Sequence, residues 1–331
     1  MLQPKLTIST APHIRLTKNT TTIMFEVVIA LIPAFLFSVY YFGVTAILMA
    51  LTTCSVAVGT EWLFSKDKKS IGTLKDGSAL LTGLLLAMTL PPSIPLWMAV
   101  IGAFFAISMG KIAWGGLGFN MFNPALLGRA FLQAAFPEAM TTWTSTGQGF
   151  FHISERTFTA PLMSPPVDAF SSASPLGLSK FESVMTGKME LFFGNTSGSL
   201  GETAAIALIA AAIFLLLRRS LDWRLMASTV LTVLVFSGLL SLFVDKCPDP
   251  LFMLLSGGIL FGAVFMVTDP VTTPITAKGM WIFGIGVGFL VVLIRVFGGL
   301  PEGVMFSILI MNAVTPLINK FTQPIQFGGK K

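Results

Sequence analysis

Between Ile23 and Phe64 the chain carries two acidic residues, Glu26 and Glu61, and no basic one. Gly43 splits this apolar run near its middle. Each half is about 20 residues, the length a helix needs to cross roughly 30 Å of hydrocarbon. Similar runs recur towards the C-terminus, so the whole chain of 331 residues is 54% hydrophobic and only 11% charged. Soluble domains carry about 25% charged residues. A mean hydropathy of +0.82 is more apolar surface than a soluble core absorbs. The reading is a polytopic, all-α membrane protein, because a spanning helix satisfies its own backbone. The lipid bilayer is then the first partner. The net charge of +6 reflects lysines and arginines held on the cytoplasmic side; no nucleic acid is expected.

Apolar stretches and their breakers predict about ten transmembrane helices: 23–42, 44–64, 78–90, 96–113, 123–136, 202–217, 223–243, 250–267, 280–297 and 303–318. Several fall short of a full span and end at Pro or Gly, the pattern of short or broken helices buried in protein. The predicted organisation is an N-terminal arm (1–22), a first membrane repeat (23–136), a polar loop (137–201), a second repeat (202–319) and a tail (320–331). The arm is mixed and polar, without the apolar core of a leader. A faint echo joins the halves: Thr89-Leu90-Pro91 with Thr268-Asp269-Pro270, and Gly115-Gly116-Leu117 with Gly298-Gly299-Leu300. Each glycine pair precedes a helix with an asparagine and a proline. Two five-helix repeats would have to be inverted. Lys5, Arg15, Lys18, Lys66, Lys68, Lys69, Lys75, Lys111, Arg218, Arg219, Arg224, Lys278 and Lys320 then fall on one side. That side is the cytoplasm, with both termini on it and the 137–201 loop outside.

The residues able to carry chemistry are few. Cys54 and Cys247 lack metal-ligand spacing and read as packing residues. No Gly-x-Ser-x-Gly elbow is present, and of the two histidines, His13 and His152, His13 falls on the opposite side of the membrane from the loop, so a serine-histidine triad is not expected. The loop holds Val167–Gly177, VDAFSSASPLG. Its hydroxyls read either as an ordinary surface loop or as acceptors for an esterified group, with Asp168 orienting the turn. In Trp114–Pro124, glycines permit close backbone approach, and Asn120 and Asn123 offer amides to a polar ring edge or an ion. Trp114, Phe119 and Phe122 stand beside them as ring-flanking candidates. Arg129 is either a membrane-embedded functional charge or a snorkelling one. Ser199 to Glu202 reads as a capping box, with a flavin or ion role for Glu202 as the alternative. Thr268, Asp269 and Thr272 supply hard oxygens for an ion path, against the reading of a simple turn.

Several long motifs resemble one family. They are Ser9–Arg15, Gly118–Ala125, Gly198–Thr203, Phe265–Val271, Leu293–Gly299 and Pro301–Val304. In order and across nearly the whole chain, these residues are similar to the RnfD/NqrB family of ion-translocating oxidoreductase subunits. A first span within about 25 residues of the start favours the RnfD branch over NqrB, the corresponding subunit of the Na⁺-translocating NADH:quinone reductase. The resemblance implies an electron-transfer subunit of a ferredoxin:NAD⁺ oxidoreductase that moves Na⁺ or H⁺, in a bacterial or archaeal cell (inner) membrane. It implies FMN held by a phosphoester in a pattern like Asp-x-x-Ser/Thr-Gly-Ala-Thr. The matching residues are Asp168, Ser171, Ser172, Ala173 and Ser174, with Ser174 at the acceptor position. Serine replaces the acceptor threonine, and Ser172 replaces the glycine. A non-covalent riboflavin, partner subunits A, B, C, E and G, and an exported flavin transferase are implied as well. A secondary transporter with no redox cofactor is the competing reading, since short helices and inverted repeats suit it equally.

Overall fold

The run from Ile23 to Phe64 folds as two helices, α1 (Thr20–Phe42) and α2 (Val44–Phe64), joined at Gly43. Gly43 has φ 63°, and a Cβ there would lie 2.2 Å from the Phe150 carbonyl oxygen, so only glycine fits. The Val44 N–H donates to that same oxygen at 3.0 Å. This is a computed structural model describing residues 18–65, 76–144, 146–147, 149–151, 153–161, 163, 171–202, 204–244 and 247–324. For Glu155, Ser171 and Ser172 it describes the backbone alone. The Ser9–Arg15 motif, the lysines of 66–75, His152 and Asp168 lie outside the described residues.

The first half continues with α3 (Ser78–Thr89), α4 (Leu96–Ile107, prolonged by a π-turn at Ser108–Ile112) and α5 (Pro124–Ala135). The second half holds α6 (Ala205–Arg218), α7 (Trp223–Ser241), α8 (Ala277–Phe297) and α9 (Val304–Thr322). Between α7 and α8 the expected helix at 250–267 is broken into Pro250–Leu255, Ile259–Phe261 and a π-turn at Gly262–Met266.

The expectation of about ten transmembrane helices does not hold. Among the described residues, five helices are long and apolar enough to cross a membrane: α1, α2, α7, α8 and α9. At 1.5 Å per residue the 12 residues of α3 reach about 18 Å, short of a roughly 30 Å core. Enclosure explains why α3 can be so short. Ten of its 12 residues are buried, so protein rather than lipid surrounds it and bilayer thickness does not set its length. The long helices instead present large apolar side chains outward, among them Leu36, Leu51, Val235, Ile285 and Leu317.

The inverted five-helix repeats fall with that count. Gly115 and Gly116 are left-handed, with φ 109° and 107°, whereas Gly298 is extended at φ −72°. Asn123 caps α5 ahead of Pro124, whereas Asn312 and Pro316 lie inside α9. Similar letters therefore do different conformational work in the two halves.

The two ends of α1 are fixed by different partners. Near its N-terminal end, Glu26 is buried and accepts from Arg218 Nε at 2.9 Å, from Lys18 Nζ at 2.7 Å and from the Ser220 hydroxyl. At its C-terminal end, Phe150 meets Gly43 and the Tyr41 hydroxyl donates to the Phe193 carbonyl at 3.0 Å. Twenty-three residues span about 35 Å. The 218–220 turn and the residues Phe150 and Phe193 thus sit at opposite ends of α1, whatever the number of crossings.

Helices α7 and α8 touch at their backbones through Gly284 and Gly288, four residues apart on one face. A Cβ at Gly284 would lie 1.8 Å from the Ser228 Oγ, and one at Gly288 would lie 2.8 Å from the Thr232 Cβ. Close approach of this kind is how helices associate where no hydrophobic drive separates protein from lipid. Gly284→Val should force the pair apart and cost about 1–3 kcal/mol. Thermal denaturation of the full chain in detergent reads this as a lowered midpoint, with Gly59→Ala, which meets open space, as the neutral control.

Candidate functional site

The chain around Ser174 is built into the bundle. Trp143 and Thr144 pair antiparallel with Ser172 and Ser171. Ser174 then caps the single turn Pro175–Gly177, its Oγ accepting from the Gly177 N–H at 3.2 Å. The turn continues through Leu178–Glu182. There the Lys180 ammonium donates to the carbonyls of Arg295 at 2.9 Å, Gly298 at 2.5 Å and Leu300 at 3.0 Å. A cation at the end of α8 satisfies orphan carbonyls and complements the helix dipole. Burial pushes the Lys180 pKa below the ordinary lysine value.

Ser174 opens onto two cavities. The larger, about 370 Å³, is lined by Ser174, Trp143, Phe181, Arg129, Gln133 and Glu302, among others. The smaller, about 30 Å³, is lined by Ser174, Gly198, Glu202, Gly257 and Glu302. Between them lies an ion cluster. Arg129, on α5 and 8% exposed, donates to Glu302 Oε2 at 2.8 Å and stands 3.8 Å from Glu202 Oε1. Glu302 Oε1 accepts from the Gly258 N–H at 2.8 Å. Arg295 donates to the carbonyls of Met253 at 2.6 Å and Ser256 at 3.0 Å, satisfying the break between two short helices.

The capping-box reading of Glu202 is not what forms. Helix α6 starts at Ala205, with Ala204 as its cap. The Ser199 hydroxyl donates instead to Glu202 Oε1 at 2.6 Å, leaving the carboxyl turned towards Arg129. The snorkelling alternative for Arg129 fails too, since its partners are carboxylates inside the bundle.

The other candidates gather elsewhere. Asn120, Asn123, Thr268 and Asp269 line a third cavity of about 60 Å³, with Ser78 and Lys111. Asn123 caps α5, accepting from the N–H groups of Ala125 at 3.1 Å and Leu126 at 3.3 Å. Asn120 accepts from the Gly118 N–H and donates to the Phe122 carbonyl, both at 3.3 Å. Asp269 accepts from the Val271 N–H and the Thr272 hydroxyl, both at 3.2 Å. Thr268 donates back to the Val264 carbonyl at 2.6 Å. The structure therefore separates the amide and aspartate set from Ser174, Arg129 and Glu202. Trp114 packs edge-to-face on Phe122, ring centres 6.3 Å apart, while Phe119 is exposed.

The model of the NQR2, RnfD, RnfE family matches residues 7–328. The chain belongs to this family. It is 42% identical to the D subunit of the proton-translocating ferredoxin:NAD(+) oxidoreductase complex of Clostridium ljungdahlii, covering 98% of this chain and 97% of that one. It is 38% identical to the D subunit of the Na(+)-translocating ferredoxin:NAD(+) oxidoreductase complex of Acetobacterium woodii, covering 100% and 98%. It is 40% identical to the D subunit of the ion-translocating oxidoreductase complex of Stutzerimonas stutzeri, covering 92% and 91%.

Three of the stretches that carried the resemblance to this family meet at the ion cluster: Gly198–Thr203 through Glu202, Leu293–Gly299 through Arg295, and Pro301–Val304 through Glu302. Sequence reasoning did not single out Glu302 as a site residue. It is one acid in a Pro-Glu-Gly turn, without periodicity, and its partner lies 173 positions away. Lys180 and the buried pair of Lys111 with Glu61, at 2.5 Å, were missed for the same reason. The available signal was a charge flanked by apolar helices, which membrane energetics marks as paired or functional.

Arg129→Met strands two buried carboxyl groups and should cost about 3–5 kcal/mol. Arg129→Met combined with Glu302→Met should recover part of that loss. Thermal denaturation of the three proteins gives the coupling; strict additivity would show that the pair is not formed.

Proposed function

We propose that this chain is the electron-carrying membrane subunit of an ion-translocating ferredoxin:NAD⁺ oxidoreductase complex, with FMN joined through a phosphoester to Ser174. The observation that carries the reading is the place of Ser174 at the rim of the 370 Å³ cavity, a volume in the range of small-ligand pockets. Bound FMN would supply one- and two-electron transfer. The chain's own residues suit that group. Ser174 Oγ keeps an acceptor lone pair as an ester oxygen, so the Gly177 N–H remains satisfied. Trp143 and Phe181 offer ring faces, Arg129 and Gln133 offer donors, and exposed Ala173 leaves the approach open to an exported transferase. Asp168 and the side chains of Ser171 and Ser172 complete the attachment segment in this reading.

The remaining assignments follow from the same family membership. The partners are the other Rnf subunits, A, B, C, E and G. A non-covalent riboflavin is a further cofactor, and Thr268, Asp269 and Thr272 lie on the route of the translocated Na⁺ or H⁺. The chain sits in the cell (inner) membrane with both termini in the cytoplasm. Lys18, Arg218, Arg219 and Arg224 cluster around the N-terminal end of α1 and the α6–α7 turn, which supports placing that end inside. The end of α1 that meets Phe150 and Phe193 is then outside, and the 137–201 loop is assigned to that side.

Ser174→Ala should abolish covalent flavin, read as loss of in-gel flavin fluorescence and of the FMN mass on the Ser174 peptide. The lost cap should cost about 1 kcal/mol, so insertion survives. Ser174→Thr should retain flavin in part. Retention of full flavin by Ser174→Ala would overturn the attachment site.

Sidedness has its own test. A single cysteine at Arg219 should react with a membrane-impermeant thiol reagent only in inverted vesicles, and one at Ala173 only in intact cells. Reaction of both from one side would overturn the orientation.

A further inference from the structure

The cluster beside Ser174 contains more carboxyl groups than its hydrogen bonds accommodate as anions. Glu302 is the ionised member. Its Oε1 accepts from the Gly258 N–H at 2.8 Å, and its Oε2 accepts from Arg129 at 2.8 Å. Glu202 is differently placed. Its Oε1 accepts from the Ser199 hydroxyl at 2.6 Å, and Arg129 is 3.8 Å away, too far for a hydrogen bond. Both carboxyl groups also crowd one backbone position, Gly258. Two carboxylates have acceptors only, so a pair brought this close is accommodated by a proton on one. Like charges in contact out of water cannot both persist.

The surrounding charges have been assigned. Arg129 from α5 serves Glu302. Arg295 from α8 gives both terminal nitrogens to the carbonyls of Met253 and Ser256. Lys180 gives its protons to the end of α8. One guanidinium, Arg129, therefore stands against two carboxyl groups, at 2.8 Å from Glu302 and 3.8 Å from Glu202. Backbone closeness holds the pair together, since a Cβ at Gly258 would lie 2.6 Å from Glu302 Oε1 and 3.0 Å from Glu202 Oε1.

Two further observations point to exchange. The 30 Å³ cavity is walled by Glu202, Glu302, Gly257 and Ser174, room for one or two waters. Beside it, Ser256 Oγ and Arg295 Nε are enclosed and have no hydrogen-bond partner among the described residues. Polar atoms of this kind are ordinarily served by buried water.

We infer that Glu202 and Glu302 hold one proton between them, forming an exchangeable proton site that opens through this small cavity onto Ser174. The proton rests on Glu202 and is hydrogen-bonded to ionised Glu302. Water in the cavity carries it to and from the Ser174 end, where a group attached to that serine would meet it. The use depends on the flavin reading above. The site itself does not.

The test is infrared spectroscopy of the full-length chain carrying Ser174→Ala, so that the outcome is independent of any attached flavin. The difference spectrum against the same protein with Glu202→Gln should contain the carbonyl stretch of a protonated carboxylic acid, shifted in D₂O. Glu302→Gln should lose that band as well, because Glu202 then becomes the sole anion for Arg129. A difference spectrum showing only ionised carboxylate at neutral pH would overturn the site. A band that survives Glu302→Gln would overturn sharing by the pair. A band that does not shift in D₂O would overturn exchange through the cavity. Loss of flavin in the protein with native Ser174 would bear on the attachment reading alone.

Discussion

Arg129 is the point on which the two halves of the chain close. It reaches from α5 to Glu302, between α8 and α9, and towards Glu202 just ahead of α6. No apolar contact could fix these elements with the same angular definition, because a guanidinium is directional and its enclosed charge cannot be left unpaired. The Gly201 N–H donates to the Met88 carbonyl at the end of α3. A Cβ at Gly201 would also sit 2.9 Å from that oxygen. The turn bearing Glu202 is therefore pinned on one side by backbone and on the other by charge. The walls of both Ser174 cavities follow from that fixation.

The long helices have a simpler task. They face outward with Leu, Ile, Val and Phe, and their ends are tied by short polar contacts such as Glu26 with Arg218. The enclosed short helices and broken segments carry the polar side chains. Breaking a helix frees carbonyls, and several of those near the site have a charged donor: Arg295 for Met253 and Ser256, Lys180 for Arg295, Gly298 and Leu300. Non-helical backbone at depth is tolerated on that condition. Arg295 and Lys180 are here structural partners of carbonyl oxygen.

Much of this was legible from the sequence in one sense. Apolar runs located α1, α2, α7, α8 and α9 within a few residues, and Asn123-Pro124 marked the start of α5. The runs did not reveal which helices cross, because hydropathy measures apolar length and not continuous helix. The stretch 250–267 is apolar throughout, yet Ser256, Gly257 and Gly258 break it. The resemblance singled out Ser174, and the family stretches were legible with it. The pairing of Arg129 with Glu302 was not. A contact between positions so far apart leaves no periodic trace, and a capping box was the nearest local explanation for Glu202. Local rules chose the local partner, and burial of charge chose the distant one.

Helices α3 and α5 give the arrangement a physical logic for coupling. Ser78 and Thr82 of α3, and Pro124 of α5, line the Asp269 cavity. Further along, Met88 of α3 holds the Gly201 turn, and Arg129 of α5 holds Glu302. Along α5, Pro124 and Arg129 are five residues apart, about 7.5 Å. The same two short helices therefore touch both polar regions, and rigid elements of that kind are the physical carriers of coupling between sites. A charge change at the Glu202–Glu302 pair alters what Arg129 must balance. A shift of α5 in response would reach Asn123 within two helical turns. Lipid-facing helices could not relay it so directly, since their outward faces slide against a fluid. Enclosure is thus what lets α3 be too short to span, and its contacts with both polar regions, shared with α5, are what connect them.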